Sequence, residues 1–342
     1  MATASLAETK SQRQDVLGVE DLSVEFFTEH GWTRVVDNVN IRVPRGKTVG
    51  LVGESGSGKT VTSLAAMGLL PRHGTRVTGS IQLDGRDLTT LAESQWAEVR
   101  GSEISMVFQE PRRSLDPAFT VGHQIAEVVR RHEGASKRDS HARAVEMLDA
   151  VGIADAKRRV RAYPHEFSGG MCQRVMLAIA MVCKPKLLIA DEPTTALDVT
   201  VQKEMLRLMK ELQREFDLSI LFITHDLGVV AEMCDEVSVM YAGQVVESTG
   251  IDELFTAPGH PYTEGLLDAI PDPRARGSRL KAIPGMVPAP WLWPRSCHFF
   301  DRCTYAIADR CGTEPVPLLA GPDGRGIRCA RVGELELRGI DQ

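Results

Sequence analysis

Nowhere in the 342 residues is there an apolar run approaching the roughly 20 residues that a bilayer-spanning helix needs. The nearest approach, residues 176–190, is broken by Lys184, Pro185 and Lys186. An excess of positive charge is also missing. Forty Lys and Arg stand against 46 Asp and Glu, giving a net charge of -6, which argues against a general binder of nucleic acid or anionic membranes. The first 14 residues are polar, without the apolar core of a signal peptide, and are expected to be disordered. No motif recurs, so one functional unit per chain is expected. What remains is an ordinary globular composition, 43% hydrophobic and 25% charged, long enough for one large domain and a smaller one. Such a chain is expected in the cytosol unless a partner holds it at a membrane.

The strongest positive signal is Gly53-Glu54-Ser55-Gly56-Ser57-Gly58-Lys59-Thr60, which fits the phosphate-binding loop pattern of Gly, four residues, Gly, Lys and Ser or Thr. Residues 48–52 before it read as a short buried strand and residues 61–70 after it as a helix, the context the motif requires. Glycines let successive N–H groups turn toward phosphate oxygens, and the helix N-terminus adds partial positive charge. Lys59 would reach the outer phosphates and Thr60 would set its hydroxyl on Mg²⁺.

Alternating apolar residues predict strands over 16–27 and 34–43, and further strands over 81–83 and 104–108. From 117 to 160 the period becomes helical, as for an insertion into an α/β core. Residues 187–190 form an apolar strand ending in Asp191 and Glu192. A strand tip beside a phosphate loop can hold Asp191 on the Mg²⁺ shell and aim Glu192 at a water near the γ-phosphate. Ser168-Gly169-Gly170 opens a helix, where an anion site or a plain N-cap would serve. A long amphipathic helix follows over 201–216, then a strand over 219–224, a helix over 227–233, and a hairpin around Ala242-Gly243. Beyond Pro258 the chain turns proline-rich.

In their order, these motifs resemble an ATP-binding-cassette ATPase over residues 16 to about 250. The resemblance implies an α/β P-loop NTPase core with an antiparallel β subdomain and a helical subdomain, plus a small, irregular, Cys-rich C-terminal extension. It implies further roles: Gln109 as the residue sensing Mg²⁺ and the attacking water, Asp198 in the loop between two sites of a dimer, His225 as the γ-phosphate switch. Phe26, or second Phe27, would stack on adenine. The signature departs from the commonest form, with Phe167 for Leu and Met171 for Gln, but keeps Ser168, Gly169 and Gly170. A single copy of each motif implies dimerisation, with the phosphate loop of one cassette facing the signature of another.

Three stretches are similar to the peptide-importer branch: residues 111–117 with 121–125, the Phe-Ser-Gly-Gly-Met signature, and His260-Pro261-Tyr262-Thr263 followed by residues 266–271 and 283–288. The expected division is a disordered 1–15, a cassette over 16–258 with its helical subdomain at about 110–170, and an extension over 259–342. The implied function is ATP hydrolysis driving uptake of peptides, with nickel or another small solute as the alternative cargo. A soluble cassette acting on ribosomes or DNA, or an exporter, fits less well. Implied partners are a second cassette, a paralogue by expectation, two transmembrane permease subunits and an extracytoplasmic substrate-binding protein, with no nucleic acid. The implied location is the cytoplasmic face of the cell membrane.

Four of the seven cysteines, Cys297, Cys303, Cys311 and Cys329, crowd the tail with five, seven and seventeen residues between them. These gaps are wider than those of structural zinc sites. Four thiolates can hold a 4Fe–4S cluster, and the peptide-importer branch is similar in carrying Cys here. Iron–sulfur is the leading expectation, zinc the second, and free or redox-paired thiols the third.

Overall fold

The computed structural model describes residues 15–195, 197–270, 282–321 and 325–340. Ala196, the polar leader and Pro271 of the proline-rich stretch lie outside them. Two sheets form the framework. The first is antiparallel, in the order β2-β1-β4-β5, from β1 (Asp15–Thr28), β2 (Gly31–Pro44), β4 (Thr75–Leu83) and β5 (Arg86–Asp87). The second has eight strands in the order β11-β12-β10-β9-β3-β8-β7-β6. Its members are β3 (Thr48–Val52), β6 (Ile104–Val107), β7 (Leu187–Asp191), β8 (Ser219–Thr224), β9 (Glu236–Tyr241), β10 (Gln244–Gly250), β11 (Leu319–Ala320) and β12 (Gly326–Ile327).

The strands β6, β7, β8, β3 and β9 run parallel. Strands β3, β7 and β8 are buried along their whole length, which is why they read as continuous apolar runs instead of alternating ones. Successive side chains still point to opposite faces. Ile220 and Phe222 enter one core, while Leu221 and Ile223 enter the other. Each large apolar side chain so buried contributes about 1.5–3 kcal/mol. Strand β3 lies between β8 and β9, so its tip emerges at the middle of the sheet.

The antiparallel sheet, α1 (Lys59–Ala66) and α2 (Glu93–Val99) share the second core. Between β6 and β7 the chain makes five α-helices: α3 (Pro111–Ser114), α4 (Val121–Glu133), α5 (Lys137–Ala150), α6 (Ala156–Arg159) and α7 (Gly169–Met181). Caps fix where they start. Thr120 accepts the His123 N–H at α4, and Ser136 accepts the Asp139 N–H at α5. Their apolar faces, including Ile125, Val129, Leu148 and Val175, join the first core together with α8 (Val199–Phe216). The remaining helices are α9 (Leu227–Met233), α10 (Ile251–Thr256), α11 (Pro261–Asp268) and α12 (Ala308–Cys311).

The proline-rich tail is less irregular than its composition suggests. It adds β12 to the edge of the large sheet against β10, with β11 beyond it. Its principal anchor is the carboxylate of Glu247 in β10, which is fully buried. That carboxylate accepts from the N–H groups of Gly259 and His260, from the Thr263 hydroxyl, and from Arg325. The His260 ring caps α11 by accepting the Tyr262 N–H at Nδ1. The His-Pro-Tyr-Thr run therefore has a packing role: its His caps, its Pro opens the helix, its Tyr enters the core, and its Thr satisfies a buried acid.

Candidate functional site

The 53–60 loop leaves the tip of β3 and enters α1. Gly53 and Gly58 adopt φ of 153° and 103°. A Cβ at Gly53 would lie 2.1 Å from the Met240 carbonyl oxygen, and one at Gly58 would lie 2.8 Å from the Met240 side chain. Both glycines are thus required by close backbone approach as well as by conformation. Lys59 is buried and folds its ammonium back into the loop, donating to the carbonyls of Gly53 (2.7 Å) and Glu54 (2.9 Å). Burial lowers its pKa, opposed by the charges of Glu192, Asp191 and Glu54. A cation held this way is poised for an anion of higher charge density.

Asp191, at the tip of β7, is 4% exposed. Burial pushes its carboxyl up to about 6, a rise opposed by a hydrogen bond from Thr60. Thr60 and Asp191 thus meet, and both carry hard oxygen donors of the kind Mg²⁺ prefers. Glu192 follows in the left-handed region, with φ of 47°, held there by its N–H donating to Ile223. The turn costs about 1–3 kcal/mol and is of the kind kept at functional sites. It points the Glu192 carboxylate at three partners. The Gln109 amide donates to it at 2.9 Å, the Thr195 hydroxyl at 2.9 Å, and His225 Nδ1 lies 3.2 Å away. Gln109 and His225 come from the ends of β6 and β8, on either side of β7.

Ser168 caps α7, accepting the Met171 N–H, and stays exposed. Gly169 faces open space, while a Cβ at Gly170 would lie 2.8 Å from Val201 at the start of α8. Asp198 caps α8, accepting the N–H groups of Thr200 and Val201. The signature turn and the Asp198 loop are thus neighbours. Among the described residues no hydrogen bond or ion pair joins residues 168–170 to the 53–60 loop. Phe26 is half-buried against the second core, and Phe27 is 65% exposed and packs edge-on against Trp32.

Sequence reasoning missed Thr195, the contacts made by the turn of the β9–β10 hairpin, and the tail's reach. Thr195 sits three residues after Glu192, and that spacing was its only signal. In the hairpin turn, the Gly243 N–H donates to the Ser57 carbonyl, and the Gly243 carbonyl accepts from Asp37. The Ala242 carbonyl lies 2.7 Å from His298 Nδ1. One turn thereby ties the phosphate loop to β2 and to the tail.

The four tail cysteines are brought together. Cys297, Cys303, Cys311 and Cys329 line one pocket with His260, Phe299 and Tyr305. Among the described residues, however, no group of three or more His, Cys, Asp or Glu is arranged to hold a metal ion. Burial pushes Cys297 up to about 12 and Cys303 to about 11, and raises Cys329. The donor type suits a soft metal, and each of the four is a free cysteine. The iron–sulfur and zinc readings are not supported. Among the described residues no helix is long and apolar enough to cross a membrane.

A phosphate loop at a parallel strand tip, an acid pair at the next strand but one, and polar residues converging on the second acid define a P-loop nucleoside triphosphatase of the cassette type. Residues 36–195 match the family model described as ABC transporter, and residues 246–311 the one described as oligopeptide/dipeptide transporter, C-terminal region. The chain is 50% identical over 315 residues to the oligopeptide transport ATP-binding protein AppD of Bacillus subtilis, covering 92% of this chain and 96% of that one. It is 47% identical over 329 residues to the oligopeptide transport ATP-binding protein OppD of Salmonella typhimurium, covering 95% and 97%. Among solved structures, it is similar to cbiO1 of Clostridium perfringens, at 27% identity and a TM-score of 0.60, covering 71% of this chain and 91% of that one. A dimeric cassette, MJ0796, bound to ADP and phosphate shares the fold, at 24% identity and a TM-score of 0.61, covering 69% and 98%. The chain belongs to the ATP-binding-cassette transporter family and is an ATPase of that family.

Proposed function

We propose that this chain hydrolyses ATP at the interface of two cassettes and so drives import of oligopeptides or dipeptides through separate permease subunits, from the cytoplasmic face of the membrane. The observation that carries the chemistry is the convergence of Gln109, Thr195 and His225 on Glu192, beside the Thr60–Asp191 pair. The cargo reading is supported by the tail and by the printed names of the relatives.

Lys59 and the loop amides bind the phosphates, and residues 53–58 shape the cradle. Thr60 and Asp191 would hold Mg²⁺, with Gln109 as the third candidate; when bound, the ion supplies charge neutralisation of the outer phosphates. Glu192 accepts the proton of the attacking water, oriented by Gln109 and Thr195, and His225 reports on the γ-phosphate. Ser168, exposed at the cap of α7, and the half-buried Gly169 and Gly170 face the nucleotide of a second cassette, with Asp198 between the two sites. Phe26 provides the aromatic face for adenine. That second cassette is a paralogue or another copy, and an extracytoplasmic binding protein delivers the cargo.

Glu192→Gln tests the mechanism. ATP turnover should fall by at least about a hundredfold while ATP affinity is kept; unchanged turnover would overturn the reading. Uptake of a labelled oligopeptide by cells carrying the transporter should be lost in the same variant. Loss of nickel uptake with peptide uptake intact would shift the cargo to the metal.

A further inference from the structure

Every polar group of Glu54, the second residue of the phosphate loop, is held. Its N–H donates to the Tyr262 hydroxyl at 2.9 Å. Its carbonyl accepts from Lys59. Its carboxylate accepts two bonds from Arg302, at 2.7 and 3.1 Å. Arg302 is itself pinned: Nε donates to the Pro284 carbonyl at 2.7 Å, a second bond reaches Gly285 at 3.4 Å, and the guanidinium lies 5.6 Å from the Tyr241 ring centroid. The Arg302 side chain is only 6% exposed, against 31% for Glu54. A planar guanidinium meeting a carboxylate through two parallel bonds is the most directional ion pair that proteins make.

The location gives this pair its meaning. A carboxylate within a phosphate-binding loop opposes the anion the loop exists to bind, and in a partly buried site that opposition is weakly screened. Glu54 also lies close enough to Lys59 to act on its charge. Tyr262 and Arg302 both come from the tail, from α11 and the turn before Cys303, and no part of the ATPase motif set includes them.

We propose that Arg302 and Tyr262 are positioning residues of the nucleotide site. Arg302 neutralises Glu54 and fixes its carboxylate, Tyr262 fixes the Glu54 amide, and the C-terminal extension thereby sets the geometry and charge of the phosphate loop. The inference rests on the ATP-site reading above. It is judged only by comparing variants with the wild-type chain; a wild-type chain that binds no MgATP defeats that reading itself.

The test is equilibrium binding of MgATP and MgADP to the full purified chain. Arg302→Gln should weaken MgATP binding by about tenfold or more, which corresponds to about 1.4 kcal/mol. The loss should be larger for MgATP than for MgADP, because the unneutralised acid repels the more highly charged ligand more strongly. Arg302→Lys, which keeps the charge without the fork, should fall between. Adding Glu54→Gln to Arg302→Gln should recover most of the lost affinity, a rescue that a merely structural role would not produce. Tyr262→Phe keeps the ring in the core and removes only the hydroxyl; it should weaken both nucleotides by about threefold or more. If Arg302→Gln does not fold, Arg302→Lys and Tyr262→Phe decide. Wild-type affinity in both folded variants, or an Arg302→Gln loss undiminished beside Glu54→Gln, would overturn the inference.

Discussion

At the scale of single residues, the site depends on side chains whose chemistry is conditional on what surrounds them. Thr195 donates one hydrogen bond to the Glu192 carboxylate. A bond to a charged group is worth about 1.5–3 kcal/mol, so Thr195→Val should slow ATP turnover by about tenfold. ATP affinity should stay near wild type; a variant with full turnover would show that Gln109 and His225 orient the acid without Thr195. His260 makes a different prediction. Its ring is fully buried and burial lowers its pKa to about 3, so it stays neutral in the fold. The unfolded chain takes up a proton below its ordinary value near 6.5. Between those two pKa values the unfolded state binds more protons, so stability is full above about pH 6.5 and falls as pH drops. The slope is about 1.4 kcal/mol per pH unit for this group. Denaturant midpoints measured at pH 7 and pH 5 should fall more for the wild type than for His260→Asn, which keeps an acceptor for the Tyr262 N–H without titrating. Lys59, Thr60, Asp191 and Glu192 were legible in the sequence because each closes a short motif of fixed spacing. Arg302 was not, because nothing near it in the chain says that its partner lies 248 residues away.

Among elements, the strands and helices of the core were legible because their periods are clean. The parallel strands read as short apolar blocks, and α4 and α8 as apolar residues at helical spacing; their Thr120 and Asp198 caps came from the structure. The expected α1 was too long, since it stops at Ala66 where 61–70 was read, ahead of the left-handed Gly68. The tail's β11 and β12 were invisible, because strands of two residues carry no period and are defined only by the edge they join. The β9–β10 hairpin was visible as a hairpin but not as a hub. Gly243 has φ of 78°, and an added Cβ would lie 2.4 Å from Trp293 and 3.0 Å from the Val35 carbonyl. Gly243→Ala should therefore cost about 2 kcal/mol or more, read as a lower denaturant midpoint, and should weaken ATP binding because the turn holds Ser57. A variant of unchanged stability would mean that Trp293 moves aside freely.

For the whole molecule, the tail is continuous with the cassette in everything but composition. Each described partner of the Glu247 carboxylate lies after residue 258: Gly259, His260, Thr263 and Arg325. A chain ending at 258 leaves that buried acid unpaired, a cost of about 3–5 kcal/mol against a total stability of about 5–15 kcal/mol. Such a truncation should give little soluble protein, and adding Glu247→Leu should recover some of it; a well-folded truncated cassette would contradict this. There is also a consequence in time. The strand that carries the phosphate loop is laid down early, yet it is flanked by β8 and β9, and its Glu54 waits for Tyr262, 208 residues later, and Arg302, 248 later. At about 5–20 residues per second on the ribosome, that interval is roughly 12–50 seconds. Until β8 and β9 are made the loop's strand has no neighbours in its sheet, and until residue 302 is made the Glu54 carboxylate lacks Arg302. The order of synthesis thus completes the surroundings of the phosphate loop only once Arg302 has been made.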